Sequence, residues 1–265
     1  MKFKIILFIV INSILSIELV SQKRNQQPFN TSIFDNIEVR NIGPAKVSGR
    51  ITKVVKDYSN SSIWYVTTAS GNVWKTQNSG TTWIPIFDVY GSYSIGTISM
   101  DPNNPNVLWL GTGENNSQRS VGFGDGVYKS IDAGKTWKNV GLKKSEHIAK
   151  IIIDPNNSDN IYVASQGPLW NSGGERGLYN SIDGGKTWLR ILHVNNDTGI
   201  SDVVMDHDNN NIMYASTYQR RRHFGIIVAG GPDGGIYKSV DTVSYTHLRA
   251  HETLRYLVCR LLLEK

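Results

Sequence analysis

Two carboxylates and a set of planar polar side chains stand out in the longer irregular segments of the chain. Glu114 lies in GENNSQRSVGFGD (113–125) and Glu175 in QGPLWNSGGER (166–176). A pair of acidic side chains flanking one bond is what glycoside hydrolysis needs, one as acid and the other as base or nucleophile. Beside them stand Asn115, Asn116, Gln118, Arg119, Trp170 and Arg176. A third segment, YQRRRHFGIIVAGGPDG (218–234), adds Tyr218, Gln219, Arg220, Arg221, Arg222 and His223. Aromatic rings next to amides and guanidiniums suit a carbohydrate, a carboxylate or a peptide. The arginine run has two plainer readings, pairing with Glu114 or Glu175, or solvation at the surface. Asp206-x-Asp208-x-Asn210 begins like a calcium loop but lacks the glycine and distal glutamate of one. It also falls where other stretches carry DPNN turns, so no metal and no cofactor is expected.

These segments hang on a repeat. NVWKTQNSGTTW, GVYKSIDAGKTW and GLYNSIDGGKTW end at Trp83, Trp137 and Trp188, and GIYKSVD begins a fourth copy that stops at Asp241. Each copy follows the same order of parts: an apolar strand, a turn rich in Asp, Asn and Pro, a β-branched and aromatic strand, a connection, then the repeat hairpin. A period of about 40–50 residues with four short strands marks a β-propeller blade. The reading is all-β, a partial propeller of about four four-stranded blades at 47–88, 94–142, 147–193 and 199–241, the last incomplete. In such a blade the connection between strands two and three shares a face with the loop between blades, and the repeat hairpin lies on the other. That connection is minimal in the first blade and long in the next three, so blades 2–4 carry the expected binding face.

Both ends read differently from the middle. MKFKIILFIVINSILSIELVS has a basic start, an apolar stretch and a small residue at Ser21, the pattern of a cleaved signal peptide over 1–21. Secretion, to periplasm, cell surface or medium, is the expected destination, with no membrane attachment after cleavage. Residues 22–46 form a lead-in. The last stretch, 242–265, does not continue the repeat, and VSYTHLRAHET within it resembles translated sequencing adapter, so the chain reads as the N-terminal part of a longer protein. The one cysteine, Cys259, belongs to that stretch, which leaves no thiol or disulfide chemistry. The formal net charge of +6 shrinks further without the two ends, too weak an excess to imply a nucleic-acid partner.

The hairpin resembles the Asp box, or bacterial-neuraminidase repeat, S/T-x-D-x-G-x-T-W. Ser130, Asp132, Gly134, Thr136 and Trp137 match it, as do Ser181, Asp183, Gly185, Thr187 and Trp188, while the first copy has Asn78 for Asp and keeps Trp83. We assign Asn78, Asp132, Asp183 and Asp241 to capping of their own turns and the three tryptophans to packing between blades. From RNIGPAKVSGRI through YQRRR the chain resembles secreted bacterial propellers related to the sortilin N-terminal domain, often labelled glycosyl-hydrolase-like. Such propellers serve receptors, hydrolases and assembly factors alike. Xyloglucanase-like members carry a catalytic Asp in a TDxGGxY stretch, and the matching Thr68–Trp74 has Ala69 in its place. Sialidases place the first of three arginines in RIP, which Arg50-Ile51-Thr52 resembles in part, and no Tyr/Glu nucleophile pair can be assigned. The resemblance therefore implies a binding scaffold for a carbohydrate, peptide or protein ligand. A glycoside hydrolase is the alternative, with Glu114 and Glu175 as its weak catalytic candidates.

Overall fold

The structure, a computed structural model, describes residues 50–116 and 121–248, and every regular element among them is a strand. The signal segment, the lead-in, Gln118, Arg119 and the tail beyond Leu248 lie outside the described residues. Four antiparallel sheets follow one another in chain order, each an up-and-down meander, and they are the blades of a β-propeller. The first holds β1 (Ile51–Lys56), β2 (Trp64–Thr68), β3 (Val73–Thr76) and β4 (Ile84–Pro85). The second holds β5 (Ile95–Met100), β6 (Leu108–Thr112), β7 (Val127–Ser130) and β8 (Lys138–Gly141). The third holds β9 (Ile148–Asp154), β10 (Asn157–Ser165), β11 (Gly177–Ser181) and β12 (Leu189–Leu192). The fourth is built from β13 (Thr198–Met205), β14 (Met213–His223), β16 (Gly235–Ser239) and β17 (Tyr245–Leu248), with β15 (Ile226–Ala229) pairing only with the far end of β14.

The strand period of two explains how a single strand serves two seams. Leu108 and Leu110 point back and join Tyr65, Val73, Phe87 and Trp137 in the core between blades 1 and 2. Trp109, between them in sequence, points forward and packs with Ile151, Ile161, Val163 and Tyr179 between blades 2 and 3. Tyr162 and Ala164 in turn face Ile200, Val203 and Met213 between blades 3 and 4. The core is thus three slabs, one per seam, rather than one central mass.

The repeat turns close by the same bonds each time. The Asp132 carboxylate accepts the N–H and hydroxyl of Thr136 at 2.8 and 2.6 Å, and Asp183 does the same with Thr187 at 2.9 and 2.6 Å. Asn78 reproduces the arrangement, its oxygen accepting the Thr82 N–H at 2.8 Å and its amide donating to the Thr82 hydroxyl at 2.9 Å. Residues 79, 133 and 184 all take a left-handed φ, between 56° and 70°. Trp137 Nε1 then donates to the Ile86 carbonyl at 3.0 Å and Trp188 Nε1 to that of Val140 at 2.8 Å, so each ring reaches back to the outer strand of the preceding blade. Two lysines hold the same seams from the other side. Lys75 donates to the Ala133 carbonyl at 2.9 Å and Lys129 to that of Gly184 at 3.0 Å, each lying over an aromatic ring, Tyr65 or Trp109.

The fourth blade departs from the sequence reading twice. Residues 218–234 are not simply a loop: β14 runs on through His223 and folds back as β15, pairing Arg220 with Ala229 and His223 with Ile226. A strand propagates through its backbone ladder, so a polar run such as QRRRH extends as readily as an apolar one once the partner is in place. The blade also has an outer strand, because Tyr245–Leu248 pairs with β16 although it lacks the GGKTW pattern. Asp241 still caps that turn, accepting the N–H groups of Val243 and Ser244 at 3.0 and 2.6 Å. An edge ladder needs backbone and an extended segment, not a particular sequence.

Candidate functional site

Backbone bonds show which connections share a face. Asn72 N–H donates to the Tyr93 carbonyl, Gly113 N–H to that of Ser94, and Gln166 N–H to that of His147. The connections between strands two and three therefore meet the loops between blades, and the repeat turns occupy the opposite end. Each connection is stapled by a hydroxyl at the end of its second strand. Thr68 donates to the Asn72 carbonyl, Thr112 to Gly126, Ser165 to Glu175 and Thr217 to Asp233, at 2.5–3.1 Å. Gly113 lets the second blade's connection leave its strand beside a neighbour. Its φ is +85°, and a Cβ there would lie 1.7 Å from the Glu146 carbonyl oxygen.

The two candidate carboxylates have separate duties. Glu114 is 1% exposed and forms an ion pair with Arg50, whose Nε donates to Oε1 at 2.5 Å. The partner thus comes from the entry to β1 rather than from the arginine run. Glu175 is half-buried and accepts the Lys144 N–H at 2.7 Å, bracing one loop against another. No bond joins the two acids among the described residues. Nor is Ala69 placed for acid chemistry: it is buried at the end of β2, its N–H donating to the Arg50 carbonyl at 2.9 Å.

The arginines are the centre of the face, and they are not solvated. Arg220, on β14, reaches across the loop face, donating through Nη1 to the Asn115 carbonyl at 2.7 Å and to Gln166 Oε1 at 3.0 Å. It links blades 2, 3 and 4. Arg176 is buried under its own connection, donating to the carbonyls of Gln166 at 2.5 Å, Asn171 at 3.0 Å and Pro168. Arg221 pairs with Asp197, which also accepts from Ser172 at 2.8 Å. Arg222 is half-buried, and its backbone N–H donates to the Leu169 carbonyl at 2.9 Å. Tyr218 and Gln219 stand half-buried where β14 leaves the sheet. Burial, and then the neighbouring arginines, push Arg176 and Arg220 down to about 10. His147 sits in the same network, and burial with the charges of Arg220 and Arg176 holds its imidazole down at about 3. Tyr93, Phe123 and Trp170, in loops on the same side of blades 1 to 3, present exposed rings.

Sequence reasoning missed His147 and Gln166, as well as Tyr93 and Phe123, and met Arg50 only as a partial RIP resemblance. Aligning the hydroxyls that end each second strand would have found Gln166, because Ala69, Gly113, Gln166 and Tyr218 each follow that hydroxyl. Nothing local marks His147, and the RIP resemblance of Arg50 says nothing of its pairing with Glu114; both gain their role from a neighbouring blade. The Asp206-x-Asp208-x-Asn210 stretch is a turn: Asp206 Oδ1 accepts the N–H groups of Asp208 and Asn209 at 2.9 and 3.0 Å. Among the described residues no three metal-binding side chains gather.

No protein-family model matches the chain. Among curated proteins it is 27% identical over 177 residues to a probable oligoxyloglucan-reducing end-specific xyloglucanase of Neosartorya fischeri, covering 63% of this chain and 21% of that protein. It is 24% identical over 159 residues to a xyloglucanase of Acetivibrio thermocellus, covering 54% of this chain and 18% of the relative. The chain thus spans about a fifth of the length of these relatives. Among solved structures it superposes on an ancestral GH74 enzyme with a TM-score of 0.58 at 17% identity, over 78% of this chain and 26% of the other. The GH74 enzyme of Niastella koreensis gives 0.54 at 20% identity, over 74% and 30%. These likenesses agree with the propeller fold.

Proposed function

We propose that this chain is a secreted β-propeller that binds carbohydrate through its loop face. The observation that carries the reading is the presence of three exposed rings, Tyr93, Phe123 and Trp170, in loops on one side of blades 1 to 3. Flat aromatic faces stack on the apolar faces of sugar rings, and amides and guanidiniums beside them take the hydroxyls. The partial likeness to proteins named as xyloglucanases supports a glycan over a peptide. Affinity gel electrophoresis with xyloglucan and mixed-linkage β-glucan tests this. Retardation that falls about fivefold or more in Trp170→Ala and Phe123→Ala is the expected result, from loss of stacking worth roughly 1 kcal/mol per ring. Glycan-independent migration, or retardation indifferent to both substitutions, would refute it.

A second reading, glycoside hydrolase, is favoured by the same relatives. Against it stand Ala69 in place of the acid and the ion pairing of Glu114 with Arg50. Release of reducing ends from xyloglucan, abolished by Glu114→Gln or Glu175→Gln in a folded protein, would establish it.

A further inference from the structure

A recess of about 210 Å³ opens on the outer hairpin of the second blade, beside its repeat turn and away from the loop face. Lys129, Ile131, Thr136, Trp137, Lys138 and Val140 line it. Its walls are fixed: Trp137 is held by the Ile86 carbonyl and Thr136 by Asp132. Ile131 is 71% exposed at its edge. The turn does not require an apolar residue there, because the first blade closes the same turn with Gln77 in that position.

The charge around the recess is one-sided. Lys129 and Lys138 stand directly opposite each other across β7 and β8. Like charges so placed are destabilising. The repeat does not call for them, since Lys75 faces Ile84 in the first blade and Asn180 faces Leu189 in the third. Lys129 donates to the Gly184 carbonyl and feels Asp159 and Asp101 through space. Lys138 is exposed and joins no ion pair among the described residues. Asp132 offers it nothing, both oxygens being taken by Ser130 and Thr136. An apolar hollow under two cations suits an apolar group flanked by negative charge. Small-molecule sites run to about 300–1,000 Å³, so this smaller space suits one side chain. We propose that the recess seats an aliphatic side chain of an acidic peptide, whose carboxylates on either side of that anchor meet Lys138 and Lys129. The site is separate from the loop face and does not rest on the carbohydrate reading. The third blade supplies a control: Ile182 is 73% exposed in the same turn position but lies beside Asn180 and Leu189 instead of two lysines.

Fluorescence anisotropy of the full chain with a labelled Glu-Asp-Leu-Asp-Glu peptide tests the proposal. Saturable binding is expected, weakened about tenfold when the peptide leucine becomes alanine, the scale of burying one such side chain. Ile131→Gln, which copies Gln77, and Lys138→Glu each weaken it about threefold to fivefold without lowering the urea midpoint. Ile182→Gln leaves it unchanged, and added salt weakens it. Absence of saturable binding, equal affinity for the leucine and alanine peptides, or indifference to Ile131→Gln and Lys138→Glu overturns the proposal. An equal loss in Ile182→Gln overturns the placement at the second blade. Binding to phosphatidylserine vesicles in place of the peptide overturns the assignment to a peptide.

Discussion

Replacing the repeat tryptophans by alanine separates packing within a blade from packing between blades. Trp137 is 6% exposed and bonds the Ile86 carbonyl of the preceding blade, with Phe87 edge-on at 5.7 Å. Trp83 holds the same place in the first blade yet is 37% exposed. For a ring of about 250 Å² that difference is roughly 80 Å², or about 2 kcal/mol at 25 cal/mol per Å². The lost indole bond, which leaves the Ile86 carbonyl without its partner, adds about 1 kcal/mol. Trp137→Ala therefore costs about 3 kcal/mol more than Trp83→Ala. Urea unfolding followed by circular dichroism reads the difference, and the slope must be unchanged for the comparison to hold. Equal midpoint shifts would refute the claim that the repeat tryptophan works chiefly at the seam.

His147 gives a pH dependence whose sign follows from its burial. Its native value of about 3 lies below the ordinary 6.5, so the unfolded chain binds the proton first. Stability is full above pH 6.5 and is lost as pH falls through the window toward 3. His147→Gln flattens that limb by about 2–3 kcal/mol at pH 4.5, read from urea midpoints at that pH and at neutrality. Asp132 acts in a lower window. Slight burial raises its carboxyl, but the bonds from Thr136 and Ser130 outweigh that and hold it at about 2, so its contribution is lost only as pH falls below the ordinary 3.8. Asp132→Asn reproduces the arrangement of Asn78 and costs well under 1 kcal/mol, whereas Asp132→Ala costs about 1–2 kcal/mol, as loss of a cap does. A thermal melt at neutral pH distinguishes the pair.

The fold was legible because its determinants are local and repeated. Leu108, Trp109 and Leu110 declare an alternating strand, and Asp132 to Trp137 declare a turn with a ring that must reach somewhere. The site was legible only in its loops. Arg220 looked like surface charge because a run of arginines carries no mark of what lies across the molecule from it. Its acceptors, Asn115 and Gln166, are 105 and 54 residues away. Glu114 looked like a free acid for the same reason, since Arg50 pairs with it from 64 residues upstream. Repetition fixes which residues reach the loop end of a blade, but it does not say which of them meet there.

The lysines that bolt successive blades have one gap. The third blade carries Asn180 where Lys75 and Lys129 stand, and its amide turns inward to Asn160 and the Ile161 carbonyl. On the loop side the same junction is pinned by Arg220 to Gln166 and by the backbone bond from Arg222 to Leu169. The repeat-turn side is closed by other means: Asn210 donates to the Asp154 carboxylate at 3.2 Å, and Lys150 pairs with Asp202 at 2.8 Å. The third seam is therefore joined at both margins, but by an amide bond and an ion pair where the first two use a lysine and a ring, so added salt would loosen the slab that holds Tyr162, Ile200 and Met213 more than the other two.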